Sequence, residues 1–400
     1  MRVAIIGQGY VGLTISVGAL RAGHEVIGVD YSQSLITSLS AGKSHIEGIS
    51  DGEISAGLKS GKFLPTSSYG EIADCDIVVI AVPTPLGANG SADLTLLEAA
   101  TTSVGQALKK KALVINESTS YPGTLRDVIR PLIEKGSPLG HMYAISPERV
   151  DPGNKNFGTK NTPRVVGGLT DQARDAAVAF YSSFCDAVLP VSSPEVAEAA
   201  KLFENTFRQV NIALVNEFAQ IAHALGISVH ETLEAADTKP YGFMKFNPSA
   251  GVGGHCIPVD PSYLAYMAAE KGVPATFIER ANQVNLEMPK YIVSRVKADN
   301  GGSLAGKSVL VVGVAYKPNV ADVRETAAEL VIEHLRQRGA VVSWHDDVVG
   351  SWNGESSAPL SGADIALVVT KHDDVKVRDI LGSAPYVFDT TGKVPGAKGL

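Results

Sequence analysis

Cysteine is scarce and unpaired in this chain: Cys75, Cys185 and Cys256 are an odd number with no paired spacing. That usage belongs to a reducing compartment, not to a disulfide framework. No second cysteine stands at ligand spacing from Cys256, so a zinc site is not expected and no metal is implied. No basic tract offsets the formal charge of −7, which argues against nucleic acid or an anionic membrane as partner. No apolar run approaches the length of a membrane span, and Met1 leads almost directly into an apolar strand without an export signal. A cytoplasmic protein is the expectation. Short-period repeats and low-complexity segments are also missing.

What is present is the composition of a folded α/β protein, with 44% hydrophobic residues and 40 glycines. At 400 residues the chain exceeds one comfortable core, so two or three domains are expected. Buried-strand candidates at 3–6, 25–29, 77–82, 113–116, 143–145 and 164–166 alternate with helical patterns. Such alternation means βαβ units and a parallel sheet. From Pro194 to about residue 224 the pattern becomes one long helix, opened by Ser193 as cap and proline at the first helical position. A helix of that length serves as a domain spine, and its apolar face suits a homodimer interface. A Gly/Pro-rich loop is expected over residues 239–261, and a linker at 300–303. Strand candidates then return at 308–314, 340–344, 365–370 and 386–389, with a helix at 326–338.

The expected fold is therefore α/β: two Rossmann-like doubly wound parallel-sheet domains joined by a helical connector with a long spine helix. The boundaries read as a nucleotide-binding domain over 1–192, a helical central domain over 193–300 and a second α/β domain over 301–400.

Gly7-Gln8-Gly9-Tyr10-Val11-Gly12 follows the first strand and opens the first helix. The first glycine permits the tight turn, the second lets backbone approach a pyrophosphate, and the third allows close helix packing. The helix N-terminus supplies N–H groups for the phosphates. Asp30 ends the next strand about 20 residues on, where a carboxylate accepts the adenosine ribose hydroxyls. That acid repels a 2′-phosphate, so NAD is favoured over NADP. The plainer alternative is a glycine-rich turn without a nucleotide.

Gly251-Val252-Gly253-Gly254-His255-Cys256-Ile257-Pro258-Val259-Asp260-Pro261 is the most unusual stretch. Its glycines let backbone approach a ligand and give the thiol little to pack against, whereas a structural cysteine sits within an apolar element. Cys75, just before a buried strand, and Cys185, in helical context, fit the structural kind. His255 is read as a loop residue outside the catalytic set.

Taken together, these residues resemble the nucleotide-sugar 6-dehydrogenases, the UDP-glucose/UDP-N-acetylmannosamine dehydrogenase family. The similarity spans nearly the whole chain. It rests on the glycine fingerprint, Val82-Pro83-Thr84-Pro85, the segment Glu117 to Thr124, Ser146-Pro147-Glu148-Arg149 and the segment Glu198 to Arg208. The Gly-Gly-His-Cys loop, Ala315-Tyr316-Lys317-Pro318-Asn319 and Arg324-Glu325-Thr326 complete it.

The resemblance implies Cys256 as nucleophile and Asp260 as the carboxylate that manages protons beside it. Lys201 and Asn205, one helical turn apart, would stabilise the oxyanion at the sugar carbon and bind substrate. Glu148 would be general acid/base acting through water, with Ser120 positioning that water. Thr84 and Ser120 would line the cofactor, and Arg324 would contact it. Arg149, Gly253, Tyr316 and Lys317, with Glu148, would bind the substrate, a UDP-sugar. Taken singly, Lys201 could be a solvated charge, Glu148-Arg149 a surface ion pair and Arg324-Glu325 an exposed helix start.

The implied chemistry takes a primary alcohol to an acid, removing four electrons through a thiohemiacetal and a thioester on Cys256. The segments 146–154, 238–244 and 117–124 look most like the UDP-N-acetylglucosamine branch. UDP-glucose, UDP-N-acetylmannosamine and a TDP-sugar remain alternatives. Ser120 stands where that branch often has threonine, Ala321 replaces an expected acid, and Ser34 sits where lysine is frequent. Two readings of other classes are a two-electron β-hydroxyacid dehydrogenase, which needs neither the thiol loop nor a second α/β domain, and a non-catalytic NAD-binding protein.

Overall fold

The computed structural model describes residues 1–46, 48–87, 90–150, 154, 156–254 and 256–400. Asp151, Pro152 and Gly153 of one motif, His255 and the side chain of Cys256 lie outside the described residues. The chain divides into two compact units, Met1–Glu204 and Asn205–Leu400.

The first unit is built on strands β1 (Arg2–Ile6), β2 (Glu25–Val29), β3 (Phe63–Thr66), β4 (Ile77–Ile80), β5 (Leu113–Asn116), β6 (Met142–Ile145), β7 (Arg164–Gly168) and β8 (Val188–Pro190). They form one eight-stranded sheet in the order β3-β2-β1-β4-β5-β6-β7-β8. Helices α1 (Tyr10–Arg21), α2 (Gln33–Ser40), α3 (Asp51–Lys59), α4 (Thr95–Ala107), α5 (Arg130–Gly136) and α6 (Asp171–Ser182) accompany it. Successive residues of a strand face opposite sides. Val3, Ile5, Val79 and Ile115 thus pack in one core with Leu13 and Ile15 of α1, while Ala4, Ile6, Val78 and Val114 pack in the other with Leu97 and Val104 of α4. Burial on both faces is why these strands read as continuous apolar runs. Leu13 has no exposed surface, and its truncation to alanine removes about 2–5 kcal/mol.

The sheet departs from the all-parallel expectation once: β6 and β7 are antiparallel, with Ala144 opposite Gly168. The connection 146–163 forms no helix among its described residues, and a parallel return needs a crossover of that kind. Strand β3 contains Pro65 and lies at the sheet edge, where a missing N–H is tolerated.

Helix α7 (Pro194–Leu225) is the long spine helix expected from the sequence. The second unit continues with α8 (Val229–Asp237), α9 (Cys256–Glu270) and α10 (Thr276–Asp299). Its strands are β9 (Ser308–Val312), β10 (Val341–His345), the short pair β11 (Ser351–Trp352) and β12 (Glu355–Ser356), β13 (Ile365–Val368), β14 (Tyr386–Asp389) and β15 (Lys398–Gly399). All pairs of the five-stranded sheet β10-β9-β13-β14-β15 are parallel. Helices α11 (Ala327–Gln337) and α12 (Val377–Leu381) pack with it. Buried amides join α7 to α10: Asn216 Nδ2 donates to Asn285 Oδ1 at 3.0 Å.

Two local expectations are corrected. The loop expected over 239–261 ends at Cys256, where α9 begins. Pro258 falls in the first helical turn, where its missing N–H costs nothing, and only Pro261 lies inside the helix. Cys185 lies beyond the end of α6, in the turn closed by its N–H to Tyr181 O. Among the described residues no helix is long and apolar enough to cross a membrane.

Candidate active site

The glycine turn shows why each glycine is needed. Gly7 has φ +88°, and a Cβ there would stand 2.4 Å from the Ala81 carbonyl oxygen. A Cβ on Gly12 would stand 1.7 Å from the Gly7 carbonyl oxygen. Gly9 is different: a Cβ there would meet nothing within 4 Å, so its absence leaves open space. Gly9 is also the N-cap of α1 and supplies no side-chain cap to the Tyr10, Val11 and Gly12 turn. Open space at an uncapped helix N-terminus fits a pyrophosphate. Asp30, nine-tenths buried, accepts the Gln8 N–H at 2.8 Å and the Ser32 N–H at 2.9 Å, holding the turn against β2. Its remaining lone pairs suit ribose hydroxyls. The residues present fit NAD.

The other motifs of the first unit meet at the carboxyl ends of the parallel strands, the position where open α/β sheets bind ligands. Ser118, after β5, accepts the Val82 N–H and donates to Val82 O, joining the segment after β4 to the segment after β5. Thr84 Oγ1 donates to Thr119 O at 2.7 Å. Ser120 is buried, and its hydroxyl has no partner among the described residues, the state of a donor held for a ligand or a water.

Glu148, after β6, is held on both oxygens. Oε1 accepts the Arg149 and Val150 N–H groups, each at 2.7 Å, and Oε2 accepts Arg164 Nη2 at 3.1 Å. Burial works against its charge. Arg164, those two N–H groups and Lys201 outweigh it and hold Glu148 below the usual carboxylate range. The surface-pair alternative fails, because the Arg149 guanidinium pairs with Glu204 at 2.7 Å instead. Lys201 is half-buried and acts on Glu148 electrostatically.

Behind Glu148 stand residues that sequence reasoning did not single out. Arg164 Nη1 also donates to Glu117 Oε1 at 2.6 Å, and the Tyr181 hydroxyl donates to the same oxygen. Burial pushes Glu117 up to about 7 despite the pull of Arg164. The signal was an arginine inside a buried strand, which demands a partner. Glu198 of α7 is a second such case. It accepts the Gly123 and Leu125 N–H groups at 2.7 and 3.1 Å, pinning the turn that follows Ser120.

In the second unit, Asn205 Nδ2 donates to Asp260 Oδ2, and Asp260 is buried. Asp260 lies one turn along α9 from Cys256, the helix's first residue. The loop glycines pack on the other proposed substrate residues. A Cβ on Gly253 would stand 2.9 Å from Tyr316 Cβ, and one on Gly254 would stand 2.8 Å from the Tyr316 ring. Gly254, at φ +83°, donates its N–H to Arg324 O at 3.0 Å. The Arg324 guanidinium is exposed and pairs with Asp322, and Lys317 Nζ stands 5.6 Å from the Tyr316 ring centroid. Gly253, Tyr316 and the Arg324 backbone are thus brought together. Among the described residues no His/Cys/Asp/Glu group is arranged to hold a metal ion.

Models of the UDP-glucose/GDP-mannose dehydrogenase family match three successive parts: its NAD-binding domain over residues 1–185, its central domain over 195–287 and its UDP-binding domain over 310–394. Protein CapL of Staphylococcus aureus is 37% identical over 86% of this chain and 81% of its own. The UDP-N-acetyl-D-glucosamine 6-dehydrogenase of Pseudomonas aeruginosa is 35% identical over 88% of this chain and 83% of its own. The structure of the UDP-N-acetylmannosamine dehydrogenase of Pyrococcus horikoshii superposes with a TM-score of 0.90 at 30% identity, covering 100% of this chain and 99% of that one. The chain belongs to the UDP-glucose/GDP-mannose dehydrogenase family and is an NAD-dependent nucleotide-sugar 6-dehydrogenase.

Proposed function

We propose that this enzyme oxidises the C6 hydroxymethyl of UDP-N-acetylglucosamine to the uronate, with Cys256 as covalent nucleophile. The observation that carries the mechanism is the pairing of Asp260 with Asn205 one turn from Cys256 at the start of α9. A thiolate is favoured at a helix N-terminus.

Two NAD molecules, held in turn at the glycine turn, would supply the hydride acceptor for two successive oxidations at C6, each of which also releases a proton to water. The first yields an aldehyde, which the Cys256 thiolate adds to, forming a C–S bond and a thiohemiacetal. Loss of the second hydride leaves a thioester. Glu148, held as a carboxylate, takes a proton from water as the water oxygen attacks the thioester carbon. Lys201 and the second Asn205 N–H stabilise the tetrahedral oxyanion. Collapse breaks the C–S bond, releasing the uronate and the Cys256 thiolate. Ser120 positions the water, and Asp260 exchanges protons beside the sulfur. Thr84, Asp30 and the glycine turn hold NAD, with Arg324 as a further contact. Arg149, Gly253, Tyr316 and Lys317 bind the UDP-sugar.

The N-acetylglucosamine assignment draws on the segments 146–154, 238–244 and 117–124 and on the Pseudomonas relative. The likeness to the Pyrococcus structure favours UDP-N-acetylmannosamine as the second reading. NADH formation with UDP-N-acetylglucosamine, UDP-N-acetylmannosamine, UDP-glucose and a TDP-sugar decides between them. A higher kcat/KM for any sugar but the first overturns the assignment.

The same chain forms a homodimer through α7. Supporting this, Phe207, Leu214, Ile221 and Leu225 are large apolar residues exposed along that helix. Leu214→Arg should halve the mass in light scattering, and an unchanged dimer would exclude this face. We further assign three functional domains, 1–192 for NAD, 193–300 for the helical core and 301–400 for UDP.

A further inference from the structure

We propose that Arg164 is a positioning residue for the hydrolytic half-reaction, fixing the Glu148 carboxylate toward the attacking water, with Glu117 as a buried counter-carboxylate that sets how strongly Arg164 acts on it. The proposal rests on the reading of Glu148 as the base.

The geometry is a closed clamp. One guanidinium serves two carboxylates from two different nitrogens, Nη1 to Glu117 at 2.6 Å and Nη2 to Glu148 at 3.1 Å. Nη1 also reaches Ser146 Oγ at 3.3 Å, and the guanidinium carbon sits 4.6 Å from the Tyr181 ring centroid. Bonds to a planar fork fix orientation as well as charge. Exposure separates the roles: the Glu117 side chain is 0% exposed and that of Arg164 4%, while Glu148 keeps 13%. Of the three, only Glu148 is open to a reacting water. Arg164 and Glu117 act through it.

Two carboxylates on one guanidinium leave a surplus negative charge in a buried place. Burial pushes Glu117 up to about 7, so a proton bound to Glu117 cancels this surplus below neutrality and is lost above it. The groups facing Glu117 are Arg164 of β7, Tyr181 of α6 and Glu148 after β6, with Lys201 of α7 acting on Glu148. Cys185 adjoins Arg164 and is kept as a neutral thiol by burial. When Glu117 is protonated, Arg164 acts almost wholly on Glu148 and makes it a weak base. When Glu117 ionises, the guanidinium is shared and Glu148 becomes a stronger base. Hydrolysis should therefore quicken as pH rises through neutrality, with an apparent value belonging to the whole clamp.

Glu117→Gln tests this directly, because it keeps the shape and removes the titration. The expected result is a kcat profile that loses its rise near neutral pH, with KM for the UDP-sugar within about twofold and kcat at pH 8 lowered about tenfold, the scale of an orienting partner. Arg164→Lys keeps the charge without the fork and should lower kcat by about tenfold or more at unchanged KM. A Glu117→Gln enzyme with the parent's pH profile and kcat, altered only in thermal stability, overturns the proposal. Failure of the underlying reading looks different. If Glu148→Gln traps no thioester on Cys256 in acid-quenched mass spectra, and its kcat matches the parent's, then Glu148 is not the base, whatever the Glu117→Gln profile shows.

Discussion

Asp30 accepts the backbone N–H of Gln8 at 2.8 Å, so the end of β2 is tied to the glycine turn that follows β1. In the proposed NAD site the same carboxylate accepts the adenosine ribose hydroxyls. Asp30→Asn removes the negative charge that repels a 2′-phosphate. The ratio of kcat/KM for NAD over NADP should fall at least about tenfold, equivalent to ~1.4 kcal/mol. An unchanged ratio would place cofactor choice elsewhere.

Gly254 combines a φ of +83° with the Tyr316 ring at 2.8 Å from its missing Cβ. Gly254→Ala should cost about 1–3 kcal/mol in strain and lower kcat/KM by displacing the loop before Cys256. Gly272 is the control: its φ is +74° and nothing lies within 4 Å. Gly272→Ala should cost about 1 kcal/mol or less with kinetics unchanged. Urea melts and steady-state kinetics on both variants check this.

Asp346 in the second unit is buried and accepts the Val314 and Ala315 N–H groups at 2.8 and 3.0 Å. His372 Nε2 stands 3.0 Å from its Oδ2. Burial opposes its charge, but His372 and the N–H groups outweigh this and hold the carboxyl at about 2. A depressed carboxyl contributes stability above its ordinary value and loses it as pH falls toward the depressed one. The second unit should thus lose roughly 2 kcal/mol or less between pH 4 and pH 2 from this group. Denaturant melts across that window should show the loss, and Asp346→Asn should remove its pH dependence.

Much of the first sheet was legible because its strands are buried on both faces and bounded by turns. Strands β2, β5 and β14 run over the residues that the apolar runs picked out. Strand β3 was not legible because Pro65 breaks the pattern, and β8 was not because two of its three residues are exposed. The start of α9 was hidden by Pro258 and Pro261, which read as loop although a proline in a first turn is harmless. The motif residues of the site were visible one by one. The Glu117–Arg164–Glu148 clamp was not, since 47 residues separate Glu117 from Arg164 and only strand order brings them together.

Cys256→Ser should stop short of the acid, because an alkoxide is harder to form than a thiolate and its ester is less reactive. Acid production at the parent rate would remove the thiol from the chemistry.

The covalent four-electron scheme is tested most directly by counting NADH released per UDP-sugar consumed at completion, with the sugar limiting. Two NADH for each uronate formed, and no free aldehyde, are expected. One NADH per sugar, with an aldehyde product, would contradict the scheme.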